Sequence, residues 1–559
     1  VNELFDANSE QARRIEVIKG PAGVLYGSNG MHGMVNVITP SVTPVRQIGL
    51  DVGPHDYYRI NGSLGNDAMR LDANGTSDGG YKDDSGFDQQ KATFKSHYNW
   101  RDFDVTSAIS ATNLNQETAG YIEGFESYKD DAVRKSNPNP EAYRDTWSAR
   151  AWSRFQKEHG DTRFVITPYL RKTGMRFIQH FLPGQAIEEN GQESVGVQSA
   201  WYLEDLTFGV DTEFTRGFLK ETQPGPTTGS AFLVATIPEG DHYDYDVDAF
   251  TLAGFVQRRF HPTDRVELIA GLRAEHVGYR YDNHLPDGRT RDDGTPCGFG
   301  GCRFSRPADR HDNFNNFSPK LGLHYALSPT SQAYAYLSRG FRAPETTELY
   351  RLQGDQDVAN IDSERLDSLE IGLRGDTGPL SYDLATYVMR KDNFIFRDND
   401  RRNVDNGKTS HKGIEFDLAW TIGDTLTASL DWTYAIHQYE NNPALASVDI
   451  EGNDIDTAPR NLGSIRLAWR PLDTLSGEIE IAHVGRYFED PENEHPYAGH
   501  NLVTLRMQYR PTDQLATWLR VTNLTDTLYA ERADYAFGVD RYFVGEPRSL
   551  YLGISFEVP

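Results

Sequence analysis

The chain has 559 residues and a formal net charge of −26. That acidity excludes a nucleic-acid binder, because phosphate contacts need a basic surface. Twenty-nine Tyr and 28 Phe exclude a disordered chain, and no run of 18 apolar residues offers a transmembrane helix. The opening Val-Asn-Glu-Leu has neither the basic start nor the apolar core of a signal peptide.

The first dense stretch is RRIEVIKGPAGVLYGSNGMHGMVNVITP, residues 13–40, with five glycines. A phosphate loop would place Gly-Lys-Ser/Thr at its end. Here Ser28 follows Gly27, and the lysine, Lys19, lies upstream. The spacing Gly27, Gly30, Gly33 is GxxGxxG, so the dinucleotide fingerprint GxGxxG fails as well. The residues predict strand, turn, strand, with Ile15, Val17 and Ile18 in the first strand and Met34, Val35, Val37 and Ile38 in the second.

From residue 46 onward the pattern is uniform. In residues 267–275 Leu268, Ala270, Leu272 and Ala274 oppose Glu267, Gly271, Arg273 and Glu275. Similar alternation recurs at 321–327, 368–374 and 464–469. In 425–437 Leu426, Ala428, Leu430, Trp432, Tyr434 and Ile436 share one face. Val503, Leu505, Met507 and Tyr509 do so in 501–509, and Leu550, Leu552, Ile554, Phe556 and Val558 in 549–558. Period two means strands with one apolar face. Long alternating segments tipped with Tyr and Trp, with charge on the other face, predict an all-β fold: a transmembrane antiparallel β-barrel. Short turns such as 328–331, 470–473 and 510–513 alternate with long polar segments at 175–200, 221–245, 282–318, 439–459 and 530–546. At roughly 22 to 24 residues per strand and connection, residues 46–559 hold roughly 22 strands, the size of a plugged transporter.

The two cysteines, Cys297 and Cys302, bracket Gly-Phe-Gly-Gly. They read as a tight loop disulfide in an oxidising compartment. A zinc site would need two further ligands, and His311 is the nearest candidate. The acidic run 241–246 reads either as a divalent-cation site or as girdle residues Tyr243 and Tyr245 with aspartates facing water.

These segments resemble the TonB-dependent outer-membrane receptors of Gram-negative bacteria along nearly the whole chain. Residues 12–40 resemble the end of the family's plug domain, roughly RIEVxxGPxxxLYGxxAxGGxxNxxTK. Arg14, Ile15, Glu16, Val17, Gly20, Pro21, Leu25, Tyr26, Gly27, Gly33, Asn36 and Thr39 match. His32 departs from the usual Gly, and Pro40 from the usual Lys or Arg. GFRAPETTELY (340–350), SERLDSLEIGLRG (363–375), GKTSHKGIEFDL (407–418) and RVTNLTDTLYAE (520–531) are similar to the family's barrel segments.

The resemblance implies residues 1–45 as the C-terminal remnant of a plug, with its earlier part and the TonB box upstream of Val1, and 46–559 as the barrel. It implies TonB-driven uptake of a ferric siderophore, no catalytic residues and no intrinsic cofactor. The alternatives are another cargo (haem, cobalamin, carbohydrate or another metal complex) or a passive or structural barrel. Haem is disfavoured because no His follows Phe341-Arg342-Ala343-Pro344 in residues 345–363. Implied partners are TonB with ExbB and ExbD, the ferric chelate, and outer-membrane lipid with lipopolysaccharide, for a monomer. By motif position Glu370 and Glu415 would face the lumen and pair with plug cations, Arg14 first and Lys19 second. Arg342 stands either near the plug or at the outer end of its strand. Anionic chelates with flat groups call for basic and aromatic loop residues. The candidates are Arg310, His311, Arg397, Arg401, Arg402, Tyr439, Tyr487 and Tyr542.

Overall fold

Alternating side chains demand two unlike environments, one on each side of the sheet. The computed structural model describes residues 8–28 and 30–558. Twenty-two antiparallel strands between Val45 and Glu557 form a closed barrel. The ring closes where Val45–Val52 pairs with Ser549–Glu557, Gln47 opposite Glu557 and Val52 opposite Leu552. Closure pairs the backbone groups of the edge strands, the condition for standing in hydrocarbon.

The apolar faces point outward. On Ser549–Glu557, Leu550, Leu552, Ile554 and Phe556 are exposed, while Ser549 and Tyr551 between them are buried. On Val266–Asn283, Leu268 and Leu272 face out, and Arg273 and Glu275 are buried in the lumen. No described helix is long and apolar enough to cross a membrane; the strands do so instead. Trp100, Phe260, Trp420, Trp469 and Tyr509 stand exposed at the short-turn ends of their strands. Trp201 stacks on Phe208 across one such turn, ring centroids 5.3 Å apart. These rings form the aromatic belt at one interface.

The wall is uneven in height. Val45–Val52 and Leu515–Thr522 have 8 residues each, whereas Gly240–Thr263 has 24. About 9 to 11 residues cross a bilayer, so the tall strands continue into water. Segment 175–200, read from sequence as a polar loop, is therefore largely strand, since Thr162–Ile178 pairs with Ile187–Tyr202, and both ends of 221–245 are strand as well, where Leu206–Gln223 pairs with Gly240–Thr263. Once clear of lipid, a strand needs no apolar outer face, so its period-two signal disappears.

The outer ends of the tall strands carry their own core. Tyr243, Tyr245, Tyr281, Tyr350 and Phe304 pack together, with Tyr281 stacked on Tyr350 at 4.3 Å. Tyr243 and Tyr245 are thus interior residues of the loop layer rather than girdle residues. The carboxylates of the 241–246 run are engaged by Lys220, Arg216 and His284. Cys297 and Cys302 are disulfide-bonded at the edge of the same layer.

Inside the barrel, β1 (Arg14–Lys19) pairs with β2 (Gly33–Ile38). Between them lies a short helix, α1 (Gly23–Tyr26), where the sequence predicted only a turn. Gly33 at φ 142° packs so tightly on β1 that a Cβ would come within 2.4 Å of the Ile18 carbonyl oxygen.

Candidate functional site

The plug segment meets the wall on opposite sides. On one side Glu10 pairs with Lys91 at 3.1 Å, the Pro40 carbonyl accepts from Lys95 at 2.9 Å, and Gln11 donates to the Gly62 carbonyl at 3.0 Å. On the other, Lys19 pairs with Glu415 at 2.9 Å and Asp417 at 3.2 Å. α1 lies against the strands Val266–Asn283 and Arg310–Ser328. Contacts all round place this segment in the lumen.

Of the predicted charge cluster, Lys19 and Glu415 come together, joined by Asp417, which sequence reasoning missed although it shares the lumen face two residues on. Arg14 is not the partner. It stands at the far end of six-residue β1, about 16 Å from Lys19 at strand rise, and pairs with Glu16 on its own strand. Glu370 has no ion pair among the described residues. It faces Gly20, where a Cβ would lie 3.7 Å from its Oε2. Arg342 belongs to the outer end of its strand. It forms a fork with Glu348 of α2 (Thr346–Tyr350), both bonds 2.9 Å, and reaches Glu364 at 2.9 Å.

A second grip has no sequence precedent here. Arg273 is buried, donating to Asp211 at 2.8 Å and Glu275 at 2.9 Å. Gly27, at φ 80°, rests on that pair: a Cβ would lie 2.9 Å from both Arg273 Nη2 and Glu275 Oε2. On the strand that carries Glu415, Asn403–Ile422, His411 meets His32 edge-on with ring centroids 6.3 Å apart, and His411 Nδ1 is 2.8 Å from His437 Nδ1. The unusual His32 thus marks a plug–wall contact.

On the loop side of the plug is a cavity of about 440 Å³. Its lining includes Ser28 of the plug, Arg171, Glu188 and Glu213 of the tall wall, Tyr279, and the segment 343–347. On the short-turn side a cavity of about 500 Å³ is bounded by Lys19, Lys320, Glu370, Glu415 and Asp417. The lumen therefore holds a cavity on each side of the plug segment, both with charged walls.

Several predicted ligand residues are structural. Tyr439, Tyr487 and Tyr542 are each more than nine-tenths buried. The Tyr439 hydroxyl donates to Asp456 at 2.7 Å, Tyr487 accepts from the Ala533 N–H at 2.9 Å, and Tyr542 accepts from the Glu126 N–H. Buried phenols need such partners, so aromatic composition alone misleads. His311 shares the outer face with Phe317 and Leu321, one residue out of register with the lumen. Arg310 is held by Asp312 at 2.9 Å, and Arg402 by Asp355 at 3.2 Å. Arg397 donates to Asn403 Oδ1 at 3.2 Å. Arg401 sits in the left-handed region at φ 67°.

A family profile described as TonB dependent receptor-like, beta-barrel matches residues 48–524. The chain belongs to that family. The receptor is 21% identical over 560 residues to the pesticin receptor of Yersinia pestis, covering 92% of this chain and 76% of that one. It is 23% identical over 556 residues to the Vitamin B12 transporter BtuB of Vibrio vulnificus, covering 95% and 78%. Among solved structures, the siderophore receptor PiuA from Acinetobacter baumannii shares the fold at TM-score 0.79 and 13% identity, over 98% of this chain and 86% of that one. The receptor is thus a TonB-dependent protein of the Gram-negative outer membrane, from a family of receptors and transporters rather than enzymes.

Proposed function

We propose that the receptor imports a ferric siderophore, using TonB with ExbB and ExbD to move the plug. The observation that carries this reading is a plug segment inside the lumen that pairs with the wall on opposite sides, Lys19 with Glu415 and Glu10 with Lys91. A passive pore would have no use for such a segment across its bore. In this reading residues 1–45 act as the end of the plug and 46–559 as a monomeric channel wall set in lipopolysaccharide-bearing membrane. The Lys19–Glu415–Asp417 contact acts as the releasable lock. Glu370 joins it electrostatically, facing Gly20.

The siderophore receptor of matching fold supports an iron chelate as cargo; the Vitamin B12 transporter keeps cobalamin as the competing one. Iron-starved cells whose only receptor of this class is this protein should accumulate radiolabelled iron from a siderophore, and lose that uptake when TonB is deleted. Uptake of cobalamin alone would replace the cargo. Chelate uptake that survives TonB deletion would overturn the energised mechanism.

A further inference from the structure

Three histidines meet where the plug segment touches the wall, apart from both charged contacts. His411 lies on Asn403–Ile422 and His437 on Leu426–Tyr439, directly opposite each other across the strand pair. His411 shares the lumen parity of Glu415, and residues opposite each other in a ladder share a face. His32 comes from the plug, at a position where the family usually has Gly.

The wall pair has the form of a chelate. His411 Nδ1 is 2.8 Å from His437 Nδ1. On the far side of the His411 ring, the buried Thr409 places its Oγ1 3.0 Å from Nε2. That hydroxyl accepts the Nε2–H, which fixes the tautomer and leaves a lone pair on His411 Nδ1. At rest His437 donates its Nδ1–H to that lone pair. When the proton sits on Nε2 of the same His437 ring instead, a tautomer change with no change of charge, two lone pairs stand side by side on the lumen wall.

Distance selects the ion. A metal about 2.0 Å from each of two nitrogens 2.8 Å apart subtends about 90°. A tetrahedral ion would spread the same nitrogens to about 3.3 Å. Right angles belong to tetragonal copper(II) or nickel(II). Two imidazoles on such an ion have centroids roughly 4.5 Å apart when cis and roughly 6.4 Å apart when trans. His411 and His437 are 5.0 Å apart, and His32 and His411 are 6.3 Å apart. Among the described residues no group of three acidic, histidine or cysteine side chains already makes a metal site. The wall pair is preformed, and His32 has the separation of a third ligand and needs only to turn its ring. Lys391, the ammonium within electrostatic reach of His32 and His411, is answered by Glu364 at 3.0 Å.

We propose that His411 and His437 bind copper(II) or nickel(II), with His32 as third ligand, so that the ion clasps the plug segment to the wall. The clasp is independent of the cargo.

The test uses the full chain in detergent and copper(II) as probe, read by electron paramagnetic resonance, whose splitting counts coordinated nitrogens. The wild type should give a tetragonal signal with nitrogens from three imidazoles. His411→Gln and His437→Gln should each weaken binding more than about tenfold, since losing even the partner of a ligand costs about ten- to a hundredfold. Thr409→Val, which removes such a partner, should weaken it about tenfold. His32→Ala should keep the copper and lose one nitrogen from the signal. His159→Gln, at an exposed histidine, should change nothing. In planar bilayers copper(II) should suppress open-channel events of the wild type, EDTA should restore them, and His32→Ala should not respond. Unchanged thermal unfolding shows that each variant is folded; should one wall variant fail to fold, the other and the nitrogen count of His32→Ala decide. A wild type that binds no copper(II), or copper(II) binding indifferent to both wall substitutions, overturns the site. A nitrogen count unchanged in His32→Ala overturns the clasp.

Discussion

The plug is gripped in two ways, and the grips differ in how much water reaches them. Around Gly27 the wall presents Arg273 between Asp211 and Glu275, all but sealed, with no room for a single added carbon. Around Lys19 the wall presents Glu415 and Asp417, and the lysine side chain remains half exposed. Buried charges hold strongly only as a complete set, because each ion has lost its hydration and depends on its partner. A wetted pair is worth little and can be exchanged for water. The three charges of the first contact all belong to the wall and seat Gly27 by close packing; on the proposed importer reading the second contact, a plug cation on wall carboxylates, is the one a modest pull releases.

Five substitutions, four at the two grips and one in a loop, run from the largest expected effect to the smallest. Arg273→Met strands Asp211 and Glu275 without their cation and should cost about 3 to 5 kcal/mol, seen as a clear fall in thermal unfolding temperature; an unchanged transition would show the grip to be wetter than described. Gly27→Val adds carbon where a Cβ already meets two charged groups at 2.9 Å, on a backbone at φ 80°. It should cost about 1 to 3 kcal/mol, and in planar bilayers open-channel events should rise as the plug unseats.

The third concerns a buried carboxyl with no ion pair among the described residues. Glu489, in a loop outside the membrane, is 2% exposed, and its Oε2 has no hydrogen-bond partner. Burial, then Asp540 and Asp534, push its carboxyl up to about 7. A raised carboxyl favours the protonated form in the folded loop. Its contribution is fully present below the ordinary glutamate range and is lost as pH rises through about 7. Amide protection factors in residues 485–499, which remove the base-catalysed rise common to all amides, should fall between pH 5 and 8, and Glu489→Gln should flatten that dependence.

Lys19→Ala should be the mildest, about 0 to 1 kcal/mol, with unfolding unchanged and only passage of large antibiotics increased. Glu415→Lys should exceed it, since two ammonium groups would then face each other beside Asp417. Equal effects from Lys19→Ala and Arg273→Met would remove the distinction between the grips.

Sequence made the lipid-facing architecture legible because hydrocarbon imposes a rule on every second residue: Leu550, Leu552, Ile554 and Phe556 announce both the strand and its outer face. The lumen orientation of Glu415 was readable by the same parity. Outside the bilayer the rule lapses. The tall extensions of the wall read as loops, and Tyr439, Tyr487 and Tyr542 read as ligand contacts although they are packed in loop cores.

Pairing was the least legible feature. Lys19 and Glu415 are separated by 396 residues, and nothing local to Arg14 says that it turns to Glu16 instead. Chain-wide alternation, the plug-end motif and the cysteine spacing are local or repetitive, so the sequence alone determined a barrel, its stopper and the disulfide. Which charges meet, which are left without partners and which phenols are sealed depend on distance in three dimensions, and only the closed ring of strands sets those distances.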